Sequence, residues 1–271
     1  MQGGKFMNVF IVEMKAHRKG LIIWAFGIIF MVAAGMGKYV ALTSTGQSMN
    51  DIFAQMPKSM LAIFGIGNFN LSKASGYFGM LFLYLLLMAT IHAAMLGADI
   101  ISKEERDKTA EFLLSKPISR NKIITSKLLA ALTNIIIFNI ITLVSSIIVV
   151  GKYSKGEAVS SDIVILMCGM FILQLMFMLI GTAIAAVSKN PKTATSISTG
   201  VLLITYILSM AIDLNGKIDN LKYLTPFKYY EAKNLMFGGG FQWSFVILSI
   251  IIISSMLCIT YVFYDKRDLS I

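Results

Sequence analysis

The sequence predicts an all-α, polytopic membrane protein with six transmembrane helices. Hydrophobic residues make up 56% of the 271 residues and charged residues only 14%, whereas soluble domains are roughly 45–50% apolar. The apolar residues gather in six almost uncharged blocks, each as long as the roughly 18 residues that indicate a membrane span. The segments between the blocks are too short to build a hydrophobic core of their own. These observations exclude an ordinary globular enzyme.

The blocks are predicted as six spans in order along the chain. They cover residues 20–41, 77–98, 128–150, 163–187, 195–212 and 243–264. Lys38 lies near the end of the first span, where its long side chain can reach the membrane surface. The first block is too long for the apolar part of a signal peptide and is followed by no small-residue cleavage pattern. We therefore expect it to remain in the protein.

Residues 1–19 are predicted as an N-terminal interfacial helix, and residues 20–271 as one six-span membrane domain. Apolar Phe6, Phe10 and Met14 recur at helical spacing, and basic side chains gather just before the first span. Such a helix lies along the membrane, buries its apolar side at the headgroup level and offers its cations to anionic lipids. The alternative is that this arm simply extends the first span.

The distribution of basic residues favours an orientation with both termini in the cytoplasm. In that orientation the inner segments carry 15 of the 24 Lys and Arg residues and the outer segments carry nine, as the positive-inside rule requires. Seven of the 15 lie between residues 103 and 127. Membrane topology therefore accounts for the net charge of +10, and we expect no nucleic-acid partner.

The sequence contains no recognisable catalytic or metal-binding motif. Cys168 and Cys258 fall inside apolar blocks without metal-ligand spacing, so we expect them to be packing residues. The Gly-Lys pairs at 37, 151 and 216 are followed by Tyr39, Tyr153 and Ile218, and none forms a phosphate-binding loop. We therefore predict a non-catalytic chain that binds no cofactor and no metal and does not hydrolyse ATP.

Most of the polar residues gather between residues 99 and 127. Ser102 is followed three positions later by Glu105, a capping-box pattern that predicts a helix start at Ser102. Pro117 is expected to end that helix, and Ser119 to cap the next one. Composition alone is equally compatible with a solvated connection between two spans.

The pattern within this segment is more specific than its composition. It reads Glu-(x)5-Glu, then Phe-Leu-Leu-Ser-(x)-Pro-Ile-Ser-Arg, and then a Lys seven positions further on. It resembles the first cytoplasmic loop of type-two ABC-transporter (ABC-2) permeases. The resemblance extends to the N-terminal helix, the six spans, a long first outer loop with Pro57, and the run 224–230 before the last span. The loop residues that carry it are Glu105, Glu111, Phe112, Leu113, Leu114, Ser115, Pro117, Ile118, Ser119, Arg120 and Lys127.

The resemblance implies a permease subunit that works as a homodimer or heterodimer. Each copy would dock on a separate cytoplasmic ABC ATPase subunit, and that partner would bind ATP and Mg. The loop would hold the coupling helix, with a smaller contact at residues 188–192, and residues 222–237 would form re-entrant helices that cap the exit of the translocation path. The coupling role falls by position on Arg106, Thr109, Glu111, Phe112, Leu114, Pro117 and Arg120, and the outer re-entrant segment includes Pro226, Phe227 and Tyr230.

A few residues within the spans are candidates for the translocation path, namely Tyr84, His92 and Asn139. His92 could face a cavity, or it could bond to a neighbouring helix such as that of Asn139. The amides of Asn134, Asn139 and Gln174 are expected to form hydrogen bonds between helices. Small residues such as Gly181 and Ser198 predict close helix approach.

These expectations combine into the permease subunit of an ATP-driven exporter in the bacterial plasma membrane. The substrate would be an amphipathic or apolar compound, such as a drug, a peptide or a lipid-like molecule, and membrane lipids would surround the spans. The alternative is a self-sufficient secondary transporter or channel. That alternative requires an intramembrane charge pair or broken helices, and no predicted span carries a central Asp, Glu, Lys or Arg.

The predicted orientation is testable by cysteine labelling in a background in which Cys168 and Cys258 are replaced by Ser. Asn220→Cys should react with an impermeant thiol reagent on intact cells, because residue 220 is predicted to lie outside. Ser115→Cys should react only after the membrane is permeabilised. The opposite labelling pattern would contradict the placement of both termini in the cytoplasm.

Overall fold

The computed structural model describes residues 2–44, 49–66, 69–110, 118–154, 156, 159–236 and 238–266. Within these residues all regular structure is helical, and six helices are long and apolar enough to cross a membrane. The predicted all-α class and the six spans are therefore confirmed.

The six long helices are joined by shorter elements. The long helices are α1 (Gln2–Thr43), α4 (Ala74–Arg106), α5 (Arg120–Tyr153), α6 (Ser160–Val187), α7 (Ala194–Leu214) and α9 (Trp243–Lys266). The shorter helices are α2 (Met49–Ala54), α3 (Lys58–Ile63) and α8 (Ala232–Met236), with 3₁₀ segments at Gly216–Leu224 and Pro226–Lys228. The short helices predicted before the last span are thus present.

The long helices alternate in direction, so the bundle has two distinct ends. We call one end the terminal face: it holds the start of α1, the end of α9 and the connections after residues 106 and 187. There, Nη1 of Arg120 donates to the carbonyl oxygen of Asp265 at 2.7 Å, which joins α5 to α9. The opposite face holds α2, α3, α8 and the 3₁₀ segments, among them the exposed Asn220. Which face is cytoplasmic stays a prediction.

Helices α4 and α6 form the centre of the bundle and cross at very short range. A Cβ placed on Gly97 would lie 2.0 Å from the carbonyl oxygen of Met178, and one on Gly181 would lie 2.5 Å from that of Ala94. The hydroxyl of Ser198 in α7 donates to the same Ala94 carbonyl at 3.3 Å. The close approach predicted from Gly181 and Ser198 is therefore confirmed.

The outer helices pack on this central pair and leave apolar surface uncovered. In the most apolar stretch of α4 and of α6, 61% of the residues are buried, against 22% in α1 and α7 and 17% in α9. Helix α1 packs mainly on α5, α9 on α6, and α7 on α4. Phe26, Ile204 and Ile250 are among the exposed large side chains. Only lipid or another apolar protein surface satisfies such a perimeter.

One local expectation differs from the structure. The helix start predicted at Ser102 is wrong, because α4 continues to Arg106 and the Ser102 hydroxyl donates backwards to the Ala98 carbonyl at 2.8 Å. Helix α1 is continuous across residue 19, so the N-terminal arm is part of the same helix as the first span. The placement of that arm at the membrane surface stays a prediction. Ser119 is the N-cap of α5 as predicted, without a side-chain cap hydrogen bond.

Because α4 and α6 cross so closely, we predict that a single methyl group added at the crossing lowers the stability of the fold. Gly97→Ala should lower the thermal unfolding temperature of the detergent-solubilised chain, because overpacking typically costs about 1–3 kcal/mol. Gly200→Ala in α7 is the matched control, since a Cβ there meets nothing within 4 Å. The control should be neutral or slightly stabilising, because Ala is favoured over Gly inside helices. Equal unfolding temperatures for the two variants would contradict the crossing.

Candidate functional site

A buried ion cluster joins three helices at the terminal face. Lys127 of α5 has no exposed surface, and its ammonium lies 2.5 Å from Oε1 of Glu104 in α4 and 3.1 Å from Oε1 of Glu13 in α1. It also donates to the carbonyl oxygen of Ile100 at 2.6 Å. Since an ammonium has three donors, each proton of Lys127 has an acceptor.

Charge balance explains why these groups are stable away from water. An isolated buried charge is very costly, whereas paired and hydrogen-bonded charges are tolerated. Glu13 also forms an ion pair with Lys103 of α4, so two ammonium groups face the carboxylates of Glu13 and Glu104. The group carries no net charge and binds α1, α4 and α5 together.

The ion pairs continue along the terminal face. Nε2 of His17 lies 3.6 Å from Oε2 of Glu13, and its Nδ1 lies 4.0 Å from Oδ2 of Asp99. Arg106 pairs with Asp99, and its Nε lies 3.0 Å from Oδ1 of Asp107. We call the connected set the terminal cluster. It consists of Glu13, His17, Asp99, Lys103, Glu104, Arg106 and Lys127.

Helix α4 ends directly beside this cluster in a Schellman motif. Lys108 has a positive φ of 57°, and its amide donates to the carbonyl of Glu105 at 3.3 Å. The Thr109 amide donates to the carbonyl of Glu104 at 2.7 Å. These two bonds are the ones that define the motif. The direction in which the chain leaves α4 is therefore set by the backbone carbonyls of Glu104, a cluster residue, and of its neighbour Glu105.

The residues predicted for coupling have different surroundings. Arg106 belongs to the terminal cluster, Thr109 is exposed beside it, and Arg120 contacts the end of α9. Arg106 also lines a cavity of about 360 Å³ together with Lys192, so the two predicted contact regions are neighbours. The remaining four, Glu111, Phe112, Leu114 and Pro117, lie outside the described residues.

Within the described part of the chain, Tyr84 and His92 line different cavities, and Asn139 lines neither of the two. Tyr84 lines an apolar cavity of about 590 Å³ between α1 and α4, whereas His92 lines the cavity of about 360 Å³ at the terminal face. The His92 ring stacks on Phe138 with 4.9 Å between centroids. Asn139 donates to Oε1 of Gln174 at 2.8 Å, which confirms the predicted amide bond between helices. Their shared role in a path stays a prediction.

The segment predicted to be re-entrant is anchored inside the opposite face. Pro226 begins a 3₁₀ turn, and the ring of Phe227 packs between Phe177 of α6 and Tyr206 of α7, with 5.3 Å between centroids in each pair. The hydroxyl of Tyr230 lies 2.8 Å from Oγ of Ser249 in α9. This segment therefore joins three of the long helices.

A second group of charges stabilises that segment. Lys228 is 6% exposed, and its Nζ lies 2.5 Å from Oδ1 of Asp213 and also pairs with Glu231. Nζ of Lys233 lies 3.1 Å from Oε2 of Glu231. Burial opposes the charged form of Lys233, but the carboxylates of Glu231 and Asp213 outweigh burial and raise its pKa. Burial, with a contribution from Tyr230, raises the pKa of Tyr229 to about 12.

A cavity of about 380 Å³ lies beneath this segment. Phe82 and Leu86 of α4 and Phe227 form part of its apolar wall, and Asp213 and Lys233 provide charged groups. An apolar wall with a few charged groups suits an amphipathic molecule. The predicted cap and this cavity thus occupy the same region of the bundle.

Sequence analysis missed the partners of the charged residues. Glu13 lies 90 positions before Lys103, and nothing local in the sequence pairs them. One signal was available: Glu13 is a single carboxylate among apolar and basic residues of the N-terminal arm. An isolated charge of that kind generally has a partner when it is buried.

Comparison with known families gives one extended match. The sequence model of a family described as "ABC-2 family transporter protein" matches residues 7–269, which is nearly the whole chain. A search among curated proteins finds no significant match.

The terminal cluster predicts that Lys127 is essential for stability. Lys127→Met should destabilise the chain by about 3–5 kcal/mol, because it leaves the carboxylate of Glu104 without its cation and that of Glu13 with Lys103 alone. Lys152→Met, on the same helix and exposed, is the matched control. Unfolding in detergent measures both. The added substitution Glu104→Gln should restore part of the loss, because it removes the unpaired carboxylate and keeps the pair of Glu13 and Lys103. A Lys127→Met variant as stable as the control would contradict the assignment.

Proposed function

The chain belongs to the ABC-2 family of transporter proteins, and from this membership we propose that it is the permease subunit of an ATP-driven exporter. Membership makes it a multi-pass membrane component of an ABC transporter, a class of subunit that is generally non-catalytic and works with an ABC ATPase. The proposal adds the direction of transport, the class of substrate and the route of coupling. In it, ATP and Mg bind to the partner ATPase.

One observation carries the coupling part of the proposal, namely the Schellman end of α4 at the terminal cluster. A partner seated on residues 109–120 would act on Thr109, whose amide is bonded to Glu104. Glu104 in turn holds Lys127, and Lys127 holds Glu13. Motion of the connection therefore reaches α4, α5 and α1 through short polar contacts. Arg106, Thr109 and Arg120 lie at or beside this point, which supports the role proposed for them.

The residues that line the cavities support the proposed substrate class. The cavity of about 590 Å³ is lined by flexible Met side chains and by aromatic rings, including Met80, Met88, Tyr77 and Tyr84, with Lys38 as its cation. Met side chains adapt to ligands of different shape. An amphipathic or apolar compound suits such a wall better than a sugar or an ion. We propose that this compound leaves past the segment that contains Pro226, Phe227 and Tyr230.

The assembly proposed is a dimer of permeases in the bacterial plasma membrane. The exposed apolar sides of α1, α7 and α9 supply enough surface both for lipid and for a second permease. The second permease is either an identical copy or a related chain. Each permease would carry its own ATPase on the terminal face, which is then the cytoplasmic face.

The primary test is purification of the tagged chain from its native membranes in a mild detergent. Mass spectrometry should identify a co-purifying ABC ATPase in about equal amount, and the complex should hydrolyse ATP. An oligomer free of ATPase in several detergents would overturn the proposal and favour the secondary transporter or channel.

The coupling role is tested by the double substitution Glu111→Ala and Phe112→Ala. We expect a loss of about 2 kcal/mol or more in binding to the ATPase, the usual cost of removing interface hot spots. ATP-driven transport in vesicles should fall accordingly, while membrane insertion is unchanged. Lys217→Ala, exposed on the opposite face, is the control. Transport equal to that of the control would contradict the coupling assignment.

A further inference from the structure

The cavity of about 360 Å³ at the terminal face has the features of a ligand site, and Arg106 and Lys192 in its wall also belong to the two predicted ATPase contacts. It lies between the middle of α1, the second half of α4, the first half of α5 and the start of α7. Two of its walls differ sharply in chemistry. One wall is polar and the other is apolar.

The polar wall contains two buried side chains that lack a full set of partners. His92 is 4% exposed and Asn134 is 1% exposed. Among the described residues, Nδ1 of His92 and Oδ1 of Asn134 have no hydrogen-bond partner. Buried polar atoms without a partner are rare in native proteins. His92 and Asn134 make this side of the cavity polar.

The charges around the cavity favour an anion. Asp99 is the carboxylate in its wall, and Arg106 pairs with it. Lys192 also lines the cavity and is exposed, and within the described part of the chain no carboxylate oxygen lies within 4.0 Å of its Nζ. Arg106 is shared between Asp99 and Asp107, so Lys192 is the cation in the cavity wall that remains available to a ligand. A cation of this kind attracts anions.

The apolar wall suits an anion that carries a hydrophobic part. Leu21 and Trp24 of α1 and Met95 of α4 line this side, and Met95 is 37% exposed. One turn after Gly20 on α1, Ile23 is 71% exposed. The apolar wall is therefore followed along the helix by surface suited to lipid chains. Tryptophan is also typical of the membrane–water boundary.

We infer that this cavity binds the headgroup of an anionic phospholipid of the surrounding leaflet. Lys192 contacts the phosphate, polar groups of the ligand face the wall formed by His92 and Asn134, and the acyl chains lie along Leu21, Trp24 and the exposed side of α1. This inference does not depend on the proposed transport function. A bound lipid here would touch α1, α4, α5 and α7 at once and so hold the terminal face together.

Gly20 provides a way to block the site without disturbing the fold. It lines the cavity, and a Cβ at this position meets nothing within 4 Å. Gly20→Leu therefore adds a side chain at the cavity from an unobstructed Cβ position. Gly37→Leu is the matched control, because Gly37 lies on the same helix, is equally open and is not part of this cavity. Both substitutions raise helix propensity by a similar amount.

The experiment is native mass spectrometry and thermal unfolding of the delipidated full-length chain, with whatever subunit co-purifies. The added ligands are phosphatidylglycerol, phosphatidylcholine with the same acyl chains, and inorganic phosphate. Phosphatidylglycerol should give a retained adduct and raise the unfolding temperature, since a ligand that binds only the folded state stabilises it. Gly20→Leu should lose both effects, and Gly37→Leu should keep them.

The contribution of the Lys192 charge to lipid binding is tested separately. Lys192→Gln should weaken phosphatidylglycerol binding roughly fivefold, the usual value of one lysine near an anionic lipid surface. Lys189→Gln, also exposed in the same connection but away from the cavity, should leave binding unchanged. Equal binding of phosphatidylcholine, or retention by Gly20→Leu, overturns the inference. The same stabilisation by inorganic phosphate alone would show that the cavity takes a free phosphate and would overturn the lipid assignment.

Discussion

The crossing of α4 and α6 is the constraint on which the rest of the bundle depends. Lipid offers no hydrophobic driving force between helices, so association within a membrane relies on close packing and interhelical hydrogen bonds. Gly97 and Gly181 allow each helix to approach a carbonyl of the other, and Ser198 brings α7 to the same point. Because α4 and α6 occupy the centre, α1 packs on α5 and α9 packs on α6 at the outside of the bundle. The outward-facing surfaces of α1 and α9 are apolar.

Helix α4 also connects the two polar regions of the protein. It has 33 residues, which is about 50 Å at the rise of an α-helix. One end contributes Lys103, Glu104 and Arg106 to the terminal cluster, and the other contributes Phe82 to the cavity beneath the anchored segment of the opposite face. Because α6 holds α4 near its middle, a tilt that moves one end of α4 also moves the other end. The arrangement suits a subunit that links events on two sides of a membrane.

The spans were predictable because hydropathy and length determine them directly, and the bond between Asn139 and Gln174 was predictable because amides within lipid need partners. The continuation of α4 past Ser102 was not predictable. The local capping pattern favours a break there, but burial of Ile100 and Ile101 keeps the helix intact. The sequence also did not indicate how each helix is rotated about its own axis. Tyr84, His92 and Asn139 therefore looked like one path but face different neighbours. The pairing of Glu13 with Lys103 depends on tertiary contacts that no local pattern encodes.

Glu104 is bonded through both its backbone and its side chain, and this has a mechanical consequence. Its carbonyl accepts the Thr109 amide at 2.7 Å, while its carboxylate holds the Lys127 ammonium at 2.5 Å. A pull on Thr109 must either break the first bond or carry Glu104 along, and Glu104 cannot move far without dragging a buried cation. The joint between the connection and the helix bundle is therefore stiff. Its stiffness depends on two hydrogen bonds and not on the length of the connecting chain.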